Sequence, residues 1–383
     1  MNRLTPPVQQ KTSGLSVASM VLGILGLCTG VTALPAIICG HLELRGIKRS
    51  QGQITGGGMA IAGLILGYLM LLVLGFFALV VVGANKAGEK AEAASRLPFG
   101  FEEFETPAFP ERPSLEPLGE ARVRVGSVTL DGAGGPGSDM TLWIYLPDGE
   151  VPEGSLKCVL NAPAGTNLLS GADVGSLDLA PYHDESLPYA EAGMAVVRYS
   201  IDGVVEDEDD DEEIGAGYEA FRAAKAGLVN TRLALEYVLA RLPEVDSGAI
   251  YSAGHSSAGT LSLLAGVHES RLAGCIAYAP AADLEDHFTE LLEVPLIGVA
   301  FPGVEHFVRR SSPMTHVDAF KVPVFLFHAE DDMMAPIEKT REFAEALEAS
   351  GKEVELLEVE SGGHYGSMIS TGIPKGIEWI EGR

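Results

Sequence analysis

Residues 249–268, AIYSAGHSSAGTLSLLAGVH, decide how the larger part of this chain folds. The first five residues are small, β-branched or aromatic and read as a short buried strand; the apolar run after Ser257 reads as a helix. Between them stand Gly254, His255, Ser256, Ser257, Ala258 and Gly259. A strand that becomes a helix within so few residues holds its corner residue in a strained backbone conformation, so small neighbours are needed two positions to either side. Gly254 supplies one, and Ala258 replaces the glycine usual at the other with one extra methyl group. Ser256 at the corner would present its hydroxyl above the strand end. Ser257, with His255 two positions before it, fits the turn less well.

Outward from this corner, strand-like and helical patterns alternate. VRVGSVTL, MTLWIYLP, CVLNAP and MAVVRYSI precede it; CIAYAP, VPVFLFHA and VELLEVE follow, with helical patterns between them. Antiparallel-looking strands followed by strand-helix alternation predict an α/β fold, a mostly parallel sheet with helices on both faces. In such sheets reactive groups collect at the C-terminal ends of strands. A serine hydroxyl attacks poorly until a histidine takes its proton and a carboxylate orients that histidine. Asp331 and Asp332 follow VPVFLFHA, and Gly362, Gly363 and His364 follow VELLEVE. Ser256, Asp332 and His364 are therefore the candidate catalytic residues, with Asp331 and Asp283 as alternative acids. His255, His316 and His328 read as packing or turn residues.

From about residue 120 onward the chain resembles the α/β-hydrolase superfamily, nearest to prolyl-oligopeptidase-like and dienelactone-hydrolase-like serine hydrolases. The resemblance rests on GHSSAG, SPMTHVDAFKVPVFLFHAEDDMMAP and GGHYG. It implies Ser256 as nucleophile, Asp332, four residues after His328 and four before Pro336, as orienting acid, and His364 as base. It also implies an oxyanion hole made by the amide of Ser257 and one from the loop after the third strand. Relatives often have His-Gly-Gly there; this chain has Ala162-Pro163-Ala164, and Pro163 has no N–H, so Ala164 is the expected second donor. No metal and no organic cofactor is expected. The expected partner is a small-molecule ester, with a small amide or thioester open to the same machinery. Ester is favoured over oligopeptide because residues 1–120 hold no counterpart of the propeller domain that restricts access in the peptidases. Ala258 and the altered loop leave an alternative from another class, an inactive hydrolase-fold scaffold or binding protein at the membrane.

Charge divides the chain. It has 383 residues with a net charge of −27. The first 96 residues carry eight Lys/Arg against three Asp/Glu, which leaves −32 on the rest. Such a surface repels phosphate backbones, so nucleic acid is excluded as a partner. No charged side chain occurs in 12–40 or 50–85, and each run is long enough to cross a ~30 Å hydrocarbon layer at ~1.5 Å per residue. A transmembrane helical hairpin is therefore expected, with Gly63 and Gly67 allowing close helix approach. The segment 13–82, with GGMAIAGLILG and the GH loop before it, resembles a two-helix bacterial domain of unknown function and implies membrane attachment. The expected partner is the lipid bilayer and the expected location the cell membrane, crossed twice. Basic residues flank both runs on both sides, so the side that holds the catalytic domain stays open. The expected organisation is a tail (1–14), the two-helix domain (15–83), a linker (84–118) rich in proline from Pro98 to Pro117, and the hydrolase domain (119–383). The acidic run 206–213, EDEDDDEE, reads as a solvated loop near the catalytic rim, and the apolar stretch 283–312 as an insertion where relatives carry a lid. The four cysteines have neither a disulfide framework nor metal-ligand spacing.

Overall fold

The computed structural model describes residues 11–50, 53–102, 104–132, 139–177, 183–207 and 209–383. Most of the N-terminal tail and Glu208 of the acidic run lie outside them. The chain divides into two compact units, Met1–Ala91 and Glu92–Arg383.

In the first unit the uncharged run 12–40, expected to be one span, folds back on itself as α1 (Gly14–Thr29) and α2 (Ala33–Arg49). The reason is local. Gly30 adopts φ +69°, its N–H closes on Gly26 O, and Thr32 Oγ1 donates to Leu22 O at 2.9 Å. A left-handed residue ends a helix, and glycine takes that conformation without a Cβ penalty. At 16 residues, α1 is ~24 Å long, short of a ~30 Å layer. Residues 41–49, expected as a loop, continue α2. The third helix, α3 (Gly57–Ser95), has 39 residues and is long and apolar enough to cross a membrane. The expected pair of spans is thus one hairpin of shorter helices plus one long helix. Gly63 and Gly67 lie where helices touch: a Cβ on Gly63 would stand 2.2 Å from Ser19 Oγ, and one on Gly67 2.9 Å from Ala33 O.

The second unit is built on a nine-stranded sheet. Its strands are β1 (Glu116–Pro117), β2 (Val123–Leu130), β3 (Met140–Pro147), β4 (Leu156–Asn161), β5 (Ala195–Tyr199), β6 (Val245–His255), β7 (Gly274–Tyr278), β8 (Val324–Ala329) and β9 (Val354–Val359). They lie in the order β9-β8-β7-β6-β4-β5-β3-β2-β1. The β1, β2 and β3 pairings, and that of β3 with β5, are antiparallel; the others are parallel. Alternation along each strand sends side chains to opposite faces. In β3, Leu142, Ile144 and Leu146 enter one apolar layer while Trp143 and Tyr145 enter the other. The longer helices of the unit are α4 (Asp211–Ala223), α5 (Leu228–Arg241), α6 (Ser256–His268), α7 (Val304–Ser311), α8 (Ile337–Ala349) and α9 (Ile373–Glu381).

The proline-rich stretch expected as a linker packs on this unit. Phe109 is buried against the Tyr237 ring, with centroids 5.6 Å apart, and Arg241 donates to Phe109 O and Pro110 O. Arg232 lies 4.0 Å from the Phe101 ring centre, and Glu92 pairs with Arg309. Proline density keeps the segment extended, but its phenylalanines turn it into a strap. The apolar insertion forms three one-turn helices, Leu284–His287, Thr289–Leu292 and Ile297–Ala300, ahead of α7.

Candidate active site

Ser256 sits at the junction of β6 and α6 with φ +53°, the strained corner expected for it. A Cβ on Gly254 would lie 2.2 Å from Ala258 O, so only glycine fits there. Ala258 itself is buried with its methyl accommodated. The amide of Thr166 donates to Ser257 Oγ at 3.2 Å and ties the loop after β4 to the corner. Asn161, at the end of β4, donates to Ser186 Oγ and Glu185 O and ties the strand end to that segment.

Asp332 and His364 stand in the turns after β8 and β9, and their side chains meet. His364 Nδ1 and Asp332 Oδ2 are 2.6 Å apart, with the Asp332 side chain almost wholly buried. Burial works to raise the Asp332 pKa, but hydrogen bonds from His364 and from the amides of Ala335 and Met334 outweigh it. The group stays below its ordinary value. His364 and Ser256 line one cavity of about 400 Å³, together with Ser257, Thr166, Met334 and Lys339. Among the described residues no hydrogen bond joins Ser256 Oγ to the His364 ring. Catalytic hydrogen bonds of this kind often tighten only around substrate. Ala164 lies outside this cavity's lining; with Gly165 and Thr166 it lines an adjoining one.

The residues read as alternatives have other tasks. Asp331 accepts the amides of Gly362 and Gly363 at 3.1 and 2.8 Å, fixing the turn that carries His364. Asp283 caps a helix by accepting from Glu285 and Asp286 N–H, although it also lines the Ser256 cavity. His316 binds Arg310 O as a packing residue. His255 and His328 do more than pack. The His255 ring centre is 4.5 Å from that of His364, and its Nε2 lies 3.0 Å from His364 O, so it donates there. Burial, and then the nearby His364, push its pKa down to about 4. His328 is fully buried. Its Nε2 faces two acceptors, Asp332 Oδ2 at 3.1 Å and Ala335 O at 3.0 Å, while Nδ1 faces Thr340 Oγ1 at 2.8 Å. Burial lowers its pKa, so the ring is neutral with the proton on Nε2.

Comparison with known proteins bears on the fold that carries this geometry. Residues 224–378, which include all three candidates, match the prolyl oligopeptidase family, and residues 15–81 match a domain of unknown function (DUF4190). No curated protein matches the chain by sequence. Among solved structures, an acetyl xylan esterase from a Paenibacillus species is similar at TM-score 0.54 and 19% identity, over 76% of this chain and 92% of that one. The acylaminoacyl peptidase of Pyrococcus horikoshii is similar at TM-score 0.52 and 16% identity, over 68% of this chain. A Mycobacterium tuberculosis puromycin-hydrolyzing peptidase is similar at TM-score 0.52 and 20% identity, over 69% of this chain. The matches span only 40% of each peptidase chain. At such identities the likeness speaks for the fold, and the family match spans the segment that holds the strained serine and the Asp332–His364 pair. Glu92–Arg383 is an α/β-hydrolase of the serine-hydrolase kind.

Proposed function

We propose that this protein is a membrane-anchored hydrolase that cleaves a carboxylic ester through an acyl-enzyme on Ser256. The observation that carries the reading is the 2.6 Å contact between His364 Nδ1 and Asp332 Oδ2, at the wall of the cavity into which the strained Ser256 opens. Asp332 fixes the Nδ1–H tautomer, which leaves His364 Nε2 as the base. Ser256 Oγ forms a bond to the substrate carbonyl carbon as its proton passes to His364. The resulting oxyanion takes hydrogen bonds from the Ser257 amide, at the start of α6, and from the loop after β4. There Pro163 has no N–H and the Thr166 amide already serves Ser257 Oγ; Ala164 is the donor we assign. His364 then protonates the departing alcohol, and a water molecule, deprotonated by the same ring, releases the acid. Thioesters and small amides would follow the same steps.

The anchor is α3. Leu72, Phe76, Phe77 and Leu79 on it are each about 70% exposed, and a row of large apolar side chains facing water is unfavourable by ~1.5–3 kcal/mol apiece relative to burial. A lipid environment removes that cost. Two measurements test the proposal. A fluorophosphonate probe applied to membranes holding the full chain should label the protein, and Ser256→Ala should abolish labelling. Labelling that survives the substitution overturns the assignment. Alkaline carbonate should leave the chain in the membrane pellet, and its release into the supernatant would overturn the anchor.

A further inference from the structure

The cavity that adjoins the Ser256 cavity gives the substrate a shape. The two share Thr166, and the second, of about 540 Å³, is bounded by the apolar Leu169, Val205, Ile214, Tyr218 and Phe301 together with the polar Asn167, Ser170 and Asp173. Tyr218 and Phe301 pack edge to face with centroids 5.2 Å apart, and Phe301 belongs to the apolar insertion. This volume falls in the range of sites that hold drug-sized ligands, ~300–1,000 Å³.

Which part of an ester enters it follows from the proton path. His364 delivers a proton to the leaving oxygen, so the leaving alcohol must lie on the His364 side of Ser256, where Met334, Pro336 and Lys339 form the wall. The acyl group then points the other way, past Ser257 and Thr166. His364 does not line the second cavity, whereas Ala164, the assigned oxyanion donor, does. We propose that this cavity is the acyl pocket and that the preferred substrate is an ester of an uncharged acid with a medium to long hydrocarbon chain. The inference rests on the acyl-enzyme reading. An anionic chain end is disfavoured where it meets Val204, Val205, Ile214 and Phe301, because placing a charge against these side chains costs desolvation. The wall also carries Asp173, and the carboxylates of 206–213 are flanked by Val205 and Ile214, two residues that line it. The cation at the mouth of the first cavity is already neutralised: Lys339 Nζ lies 3.1 Å from both Asp286 and Glu342.

The test uses the full-length protein in one detergent, with p-nitrophenyl esters from acetate to decanoate and the half-ester of suberic acid. Burying each methylene favours the transition state by roughly 2–4-fold, so kcat/KM should climb with chain length from acetate to about octanoate. The suberate half-ester should fall at least ~10-fold below octanoate. Ile214→Trp, which fills the pocket from α4, should lower the octanoate to acetate ratio by ~10-fold or more; Val205→Phe, from the facing loop, provides a second route to the same loss. A flat chain-length profile with Ser256 still labelled by fluorophosphonate would overturn the acyl pocket and leave the nucleophile standing. An unaltered ratio in both variants would do the same. Absence of labelling at Ser256 would overturn both readings.

Discussion

Asp332 serves two imidazoles with one oxygen. Oδ2 receives His364 Nδ1 and His328 Nε2, while Oδ1 receives the amides of Met334 and Ala335. Charge-assisted bonds of this kind hold a carboxylate ionised and in place. Replacing it with Asp332→Asn should lower kcat by about 10³–10⁴-fold, because the amide can favour the wrong His364 tautomer; steady-state kinetics on a p-nitrophenyl ester reads this directly, and a loss under tenfold would count against Asp332 as the orienting acid. On the proposed mechanism His328 would act through Asp332, as a positioning residue. With His328→Leu the donor on Oδ2 is lost, the carboxylate binds the protonated His364 ring more strongly, and the acid limb of the kcat/KM profile should move to higher pH. Thr340→Val, which removes the hydroxyl that fixes the His328 tautomer, should move it the same way by less. If His328 were only packing, stability would fall and the limb would stay where it is. The triad candidates were legible because strand-end position and chain order are sequence properties. The turn of the His328 ring toward Asp332 was not, because no periodicity links the last residues of a strand to the turn that follows.

At the scale of elements, the strain at Ser256 is sustained by its neighbours. The pair Gly254 and Ala258 allows β6 to enter α6 with no spare atom, and that rule of small neighbours could be read from the sequence. The strap could not. Pro98, Pro107, Pro110, Pro113 and Pro117 report what the backbone avoids, whereas its destination depends on Phe99, Phe101 and Phe109 finding Arg232, His268 and Tyr237, residues more than a hundred positions away. The turn at Gly30 was hidden for a similar reason: an uncharged run has the same composition whether it continues or folds back. Phe109→Ala should therefore destabilise the hydrolase unit by about 3 kcal/mol, the usual order for removing a buried aromatic. Urea unfolding of the full chain followed by tryptophan emission measures this, and both Trp143 and Trp379 lie in this unit. A midpoint unchanged from the parent would mean that the strap is a spacer after all.

The whole molecule carries its charge unevenly, and its acid response follows from that together with the histidines whose pKa desolvation lowers, His255, His268, His287, His316 and His328. His255 and His268 are both pushed down to about 4, in each case chiefly by burial. His268 is held neutral from two sides: Nδ1 donates to Leu264 O at 2.8 Å and Nε2 accepts the Phe99 amide at 2.8 Å, while His316, Lys321 and Arg310 disfavour a further positive charge. In the unfolded chain both rings titrate near ~6.5. Between about 6.5 and 4 the unfolded state therefore binds more protons than the folded one, so stability falls as pH falls through that window. The contribution is fully present above the unfolded value, and across the window each ring is worth about 3 kcal/mol at most. The paired carboxylates Asp332, Glu269 and Glu358, held below their ordinary values, act in the same sense at lower pH, while neutralising unpaired carboxylates acts in the opposite sense by relieving repulsion within a strongly acidic unit. A substitution separates the two effects. His268→Gln keeps an acceptor for the Phe99 amide and removes the titrating group, so the urea midpoint should depend less steeply on pH between about 6.5 and 4.5 than in the parent, while the carboxylate effect stays the same. Parallel pH profiles for parent and variant would show that His268 is protonated without cost in the folded state, and the strap would then be held by its aromatic contacts and the Arg241 hydrogen bonds without help from the Phe99 amide bond.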